Sequence, residues 1–316
     1  MFNMPSKSPT KFIVPFLFSI FLTACGGGGD SASMAPAPSL WSQQKSGTVS
    51  TNLMAIAKGA DNNVVTVGSG GVILASSDGI TWEQRTSGTT NNLNGVIWNG
   101  TMFVAVGALG TILSSTDGIT WITQTSNTTD TLNGISWNGN GFIAVGGNSL
   151  SGTAFVSVDG FTWSARKTLL NKMLRGITWS GSQFVVVGEA GTLHTTPDGS
   201  FWSVGGGNDA DNSTAVASNG SNRVVYVRSS GRAWYTTDFI TWTSKTPPTN
   251  LAFYGITWDG TKFIAVGENS IIFVSTDGST WSNQLTITGG NTLNGVAWNG
   301  NKLIAVGNGG DIRTSP

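Results

Sequence analysis

The strongest constraint on this chain is a seven-residue stretch that keeps returning. Ser115-Thr116-Asp117-Gly118-Ile119-Thr120-Trp121 has counterparts at 76–82, 157–163, 196–202, 236–242 and 275–281. An Asp-Gly step between two β-favouring runs is a strong hairpin signal, because Asp accepts bonds from the next backbone N–H groups and Gly supplies positive φ. The Thr-Trp that follows opens another strand, and its indole offers the largest apolar surface for filling a gap between packed sheets. The tryptophans fall at Trp82, Trp121, Trp163, Trp202, Trp242 and Trp281, so the repeat is about 40 residues long. One step back from Trp82 lies Trp41, the seventh of the set.

A second shared pattern precedes each stretch. Its clearest copy is Leu93-Asn94-Gly95-Val96-Ile97-Trp98-Asn99-Gly100, followed by Phe103-Val104-Ala105-Val106-Gly107 and Thr111-Ile112-Leu113-Ser114. Each unit therefore reads as four short strands, the signature of a β-propeller blade. The second strand recurs at 64–68, 103–107, 142–146, 184–188, 223–227, 263–267 and 303–307, again seven times. The seventh unit stops at Thr314-Ser315-Pro316, where its last strand is due, and the segment around Trp41 has no unit before it. The expectation is an all-β, seven-bladed β-propeller with four antiparallel strands per blade, in which an N-terminal strand completes the C-terminal blade and leaves no open edge.

Ahead of the repeats, Lys7 and Lys11 precede an apolar run over 12–22 that is too short to span a bilayer. This reads as a secretory signal. It ends Leu22-Thr23-Ala24-Cys25, which resembles the lipobox of bacterial lipoproteins. The resemblance implies cleavage before Cys25 and lipid attachment to its sulfur. Gly26 at the next position implies, by the same resemblance, transport to the outer membrane of a Gram-negative cell. Cys25 is the sole cysteine, so intramolecular disulfides are excluded. Residues 26–38 read as a Gly/Ser/Pro-rich tether, and 39–316 as one propeller domain.

Formal net charge is zero and only 10% of residues are charged. No basic face is visible, which argues against nucleic acid. The blades differ informatively: Arg228 and Arg232 flank the second turn of the fifth, and Phe239 replaces its turn glycine.

Taken together, the Leu-Asn-Gly-Val-x-Trp-Asn-Gly, Phe-x-Ala-Val-Gly and Ser-Thr-Asp-Gly-x-Thr-Trp runs resemble the bacterial BNR/Asp-box propellers. That class includes sialidases, some glucan hydrolases and propellers like the photosystem II assembly factor. The box here is one residue shorter than the common form. In that class the box is a structural turn away from the active face. The resemblance implies the same role for Asp78, Asp117, Asp159, Asp198, Asp238 and Asp277, with Phe239 a departure beside Asp238.

In propellers generally, ligands sit on the face carrying the blade-to-blade connections and the second-to-third strand turns. The residues expected to ring the channel there are Met54, Asn94, Asn133, Arg175, Thr214, Tyr254 and Asn294. The Asn side chains suit hydrogen bonds to loop backbone as well as they suit a ligand. Arg175 and Tyr254 are the distinctive members, and Glu189, Glu268, Arg228 and Arg232 are expected near the same rim.

No catalytic set stands out. A glycosidase needs two carboxylates at a set separation, for which Glu189 and Glu268 are the available pair. The Arg-Ile-Pro segment of sialidases is missing. His194 is the single histidine, a poor start for a serine-hydrolase triad. No metal-ligand cluster or phosphate loop is visible, and no cofactor is expected. The expectation is a lipid-anchored envelope platform, its propeller monomeric, that binds a protein, peptide or glycan. The rival is a carbohydrate-active enzyme using Glu189, Glu268 and Arg175.

Overall fold

The computed structural model describes residues 41–316 apart from 45, 48, 149, 167–171 and 206–209. The leader, Cys25 and the tether lie outside the described residues. Seven four-stranded antiparallel sheets follow one another along the chain. Blade one is typical, with strands Leu53–Lys58, Val64–Gly68, Ile73–Ser76 and Glu83–Arg85. The first strands of successive blades touch around a closed ring, so they form the inner wall.

Blade seven takes Leu293–Trp298, Leu303–Gly307 and Ile312–Thr314 from the C-terminal end and Ser42–Gln44 from the N-terminal end. Ser42 faces Thr314 and Gln44 faces Ile312. The two side-chain hydroxyls of Ser42 and Thr314 lie 3.0 Å apart. The closure expected from the two incomplete ends of the repeat is therefore present.

The core is divided among the seams between blades. Seven apolar clusters fill seven seams, and each takes one of the repeating tryptophans. Trp82 sits between blades seven and one, and Trp41 fills the seam between six and seven. The ring therefore needs seven tryptophans, one per gap, because each wedge-shaped seam demands a large apolar filler.

The two faces of the ring carry different turns. The mouth face holds the entries to the inner strands and the second-to-third strand turns, such as Ala108–Gly110 and Glu189–Gly191. The base face holds the first hairpins and the Asp-Gly turns. There Asp117 Oδ1 accepts the N–H groups of Ile119 and Thr120 and the hydroxyl of Ser115. Asp78, Asp159 and Asp277 repeat this pattern, while Asp198 accepts from Ser200 N–H. Asp238 keeps the pattern too, because Phe239 adopts φ 60° in the place of glycine.

These bonds to the ionised form hold the carboxyls of Asp78 and Asp238 down at about 2, with the Thr81 and Thr241 N–H groups the leading causes. A carboxyl whose folded pKa lies below its unfolded value of about 3.9 contributes its stability in full above that value and loses it as pH falls through the folded pKa. Thermal melts should therefore be flat at mildly acidic pH and decline between about pH 4 and about pH 2. In a chain carrying Asp78→Asn and Asp238→Asn that decline should be shallower. An identical acid limb in both chains would refute the assignment.

Candidate site at the channel mouth

Each inner strand enters the ring through a β-bulge. The register slips between Leu53 and Ala55, Leu93 and Gly95, Leu132 and Gly134, and Leu174 and Gly176. It slips again between Ser213 and Ala215, Phe253 and Gly255, and Leu293 and Gly295. The unpaired residues are Met54, Asn94, Asn133, Arg175, Thr214, Tyr254 and Asn294, the seven expected to ring the channel. All seven line one cavity of about 230 Å³. A bulge leaves its extra residue outside the ladder and re-aims its side chain. The small residue that follows lets neighbouring inner strands crowd the axis: a Cβ on Gly255 would lie 2.7 Å from the Asn294 carbonyl oxygen.

Four of the seven side chains tie blade to blade. Asn94, Asn133 and Asn294 donate Nδ2–H to the carbonyls of Leu132, Leu174 and Leu53 at 3.0, 2.8 and 2.8 Å. Thr214 donates its hydroxyl to the Phe253 carbonyl at 2.7 Å. These side chains serve the ring itself. No such tie is formed by Met54, which has no donor, by Arg175 or by Tyr254 in the described contacts.

Arg175 and Tyr254 instead reach outward to the second-to-third strand turns. The Arg175 guanidinium donates to Glu189 Oε1 at 2.7 Å. Its Nε is buried with no hydrogen-bond partner among the described residues. The Tyr254 hydroxyl meets Glu268 Oε1 at 3.5 Å, while Glu268 Oε2 accepts the Ala252 N–H at 3.1 Å. Burial raises the Tyr254 phenol above its ordinary value, the Glu268 carboxylate adds to this, and the nearby Arg175 charge opposes it. The phenol is accordingly a neutral donor at physiological pH. Two polar pairs on blades four and six thus flank Thr214 of blade five.

The other expected rim residues are placed differently. Arg232 is exposed on the second turn of blade five. Arg228 is a correction: it is 0% exposed, lying against the rings of Tyr226 and Trp234 with its guanidinium carbon 5.3 and 4.9 Å from their centres. The second strand of blade five runs Val224–Arg228, one residue later than the sequence pattern places it. Asn219 and its turn absorb the extra residue by accepting the Arg223 N–H. His194 is buried on the third strand of blade four, and burial depresses its pKa. Among the described residues no group of three or more His, Cys, Asp or Glu is placed to hold a metal.

The architecture and its bulged inner ring define a seven-bladed β-propeller with a polar channel mouth. No family model and no curated protein matches the sequence. Solved structures do resemble it. YCF48 bound to a D1 peptide superposes with a TM-score of 0.69 at 16% identity, covering 87% of this chain and 96% of that one. YCF48 from Cyanidioschyzon merolae gives 0.69 at 17%, over 87% and 98% of the two chains. A catalytically inactive virginiamycin B lyase from Staphylococcus aureus with quinupristin gives 0.76 at 10%, over 87% and 98%. At these identities the likeness is one of fold.

Proposed function

We propose that the chain is a lipid-anchored platform of the cell envelope that binds a peptide or protein segment over its channel mouth. One observation carries the reading. In a ring where Asn and Thr stitch the blades together, Arg175 and Tyr254 are polar residues that give up the stitch and pair with turn carboxylates instead. Replacing Asn by these residues removes an inter-blade hydrogen bond, a loss with no gain for the fold that the sequence repeat would explain. A guanidinium that is 38% exposed and a neutral phenol suit backbone carbonyls and carboxylates of an extended peptide. The peptide seen on YCF48 belongs to that protein, and it supports the reading here only as a precedent for the fold.

The test is capture from the envelope extract of the source cell, followed by affinity measurement on the captured segment. Arg175→Ala combined with Tyr254→Ala should weaken binding at least about tenfold, with the melting temperature kept within about 2 °C. Undiminished binding by that variant would defeat the proposal. Glycan turnover abolished in both Glu189→Gln and Glu268→Gln would establish the carbohydrate-active alternative instead.

A further inference from the structure

The base face carries a feature that folding does not require. In blades one to five the tip of the third hairpin presents a bare apolar side chain: Ile80, Ile119, Val158 with Phe161, Phe201 and Ile240, which are 45–84% exposed. Blade six has Ser279 at the matching position and keeps the same turn bonds, so an apolar residue there is not needed for the turn. Single exposed apolar residues are ordinary on a protein surface. Here four of them, Ile80, Ile119, Phe161 and Ile240, recur at one structural position of a rotationally repeated unit, two residues after the turn Asp, whereas blade four has Ser200 there and Phe201 one residue later. The ring symmetry therefore places those four at a common height on one face.

The chain enters the propeller on that same face. Ser42–Gln44 runs antiparallel to Ile312–Thr314, and Ser42 faces Thr314, the end remote from the mouth-face turn Asn308–Gly310. Trp41 therefore stands at the base. The apolar rim is interrupted where blades six and seven adjoin this entry. There Lys262 and Lys302 occupy the base ends of the inner hairpins of blades six and seven, with Lys262 Nζ 3.0 Å from Asp259 Oδ2, and Lys58 of blade one reaches toward Gly300 of blade seven. Fifteen residues separate Cys25 from Trp41, a reach of at most about 50 Å when fully extended.

We propose that the base face rests on the lipid surface to which Cys25 is anchored, with the apolar tips in the headgroup boundary and the channel mouth turned away from the membrane. The inference rests on the lipid-anchor reading of Cys25. A bilayer is the occupant that meets four tips at equal depth around a ring, because it is planar. The fifteen intervening residues set an upper limit on how far that face can stand from it. Ile and Phe side chains enter the interfacial layer by burying apolar area, and Lys58 and Lys302, where the apolar rim is interrupted, meet lipid phosphates.

The experiment uses the full lipidated chain added to preformed vesicles of phosphatidylethanolamine and phosphatidylglycerol. Thr120→Cys reports the base face and Thr129→Cys the mouth face through their rates with a membrane-impermeant maleimide. The mass of the mature N-terminus reports the state of Cys25. On vesicles, Thr120→Cys should react at least about tenfold more slowly than Thr129→Cys. Serine at 80, 119, 161, 201 and 240 should abolish that difference. Equal rates in protein whose Cys25 is acylated would overturn the membrane-facing surface and leave the anchor standing. An unmodified Cys25 would overturn the anchor and the tethered orientation with it. Protection of Thr120→Cys without vesicles, growing with protein concentration, would assign the face to a second copy and also overturn the proposal.

Discussion

Joining Pro38 directly to Lys45 will lower the melting temperature by on the order of 10 °C. The deletion removes the outer strand of blade seven and the tryptophan of the seam between blades six and seven. Restoring a part-buried Trp side chain to water costs about 2 to 3 kcal/mol, and the lost ladder and side-chain hydrogen bonds cost about 1 kcal/mol each. The lost side-chain contacts include Gln44 Nε2 to Thr314 Oγ1 at 2.8 Å. A total of about 4 to 6 kcal/mol converts to the stated shift at the specific entropy of a domain of this size. The variant should also self-associate, because Ile312–Thr314 becomes an open strand edge. Calorimetry and light scattering measure the two effects. A melting temperature within about 2 °C of the parent would mean that the ring does not depend on its N-terminal strand.

Gly107→Ala will be as damaging as that deletion, although it adds a single methyl group. A Cβ at Gly107 would lie 2.0 Å from the carbonyl oxygen of Asn92, and the corresponding Cβ at Gly267 would lie 1.9 Å from that of Ala252. The obstructing atoms are backbone at the mouth-face end of the inner strand. The strand must move, and it is held on both sides by its neighbours in the ring. Overpacking of this kind costs about 3 kcal/mol or more, again on the order of 10 °C. Gly100→Ala is the control. Nothing lies within 4 Å of its Cβ, but its φ is +105°, so the cost should be about 1 kcal/mol. Chemical denaturation of the three chains decides the matter. Equal stability of the Gly107 and Gly100 variants would refute the argument from close approach.

The fold was legible because one unit is written seven times. Blade number, strand count and closure all follow from the spacing of Trp41 to Trp281 and from the Phe-x-Ala-Val-Gly strands. The ring of mouth residues was legible for the same reason, since any position aligned across the repeats must form a circle. What the pattern conceals is the local accommodation within a blade. The seven bulges leave no composition signal, because the residue that bulges is defined by a slip in pairing and not by its type. Blade five shows the cost of that blindness. Aligning its second strand at Arg223 puts Val227 in the place of the glycine that recurs in the other blades, whereas Arg228 occupies that place and lies buried against Tyr226 and Trp234. An arginine after a strand reads as a surface charge until the flanking aromatics are seen to stack on it. The pairings of Arg175 with Glu189 and Tyr254 with Glu268 span fourteen residues of chain each, and only the bulge brings them to one rim.

The N-terminal strand has a mechanical consequence. It runs from the base toward the mouth, so a pull on Trp41 directed straight away from the base acts along the strand axis. Its rungs to Ile312–Thr314 would then be loaded together, along their strand, instead of being peeled one after another. The clasp of the ring is thus oriented to resist tugging from below.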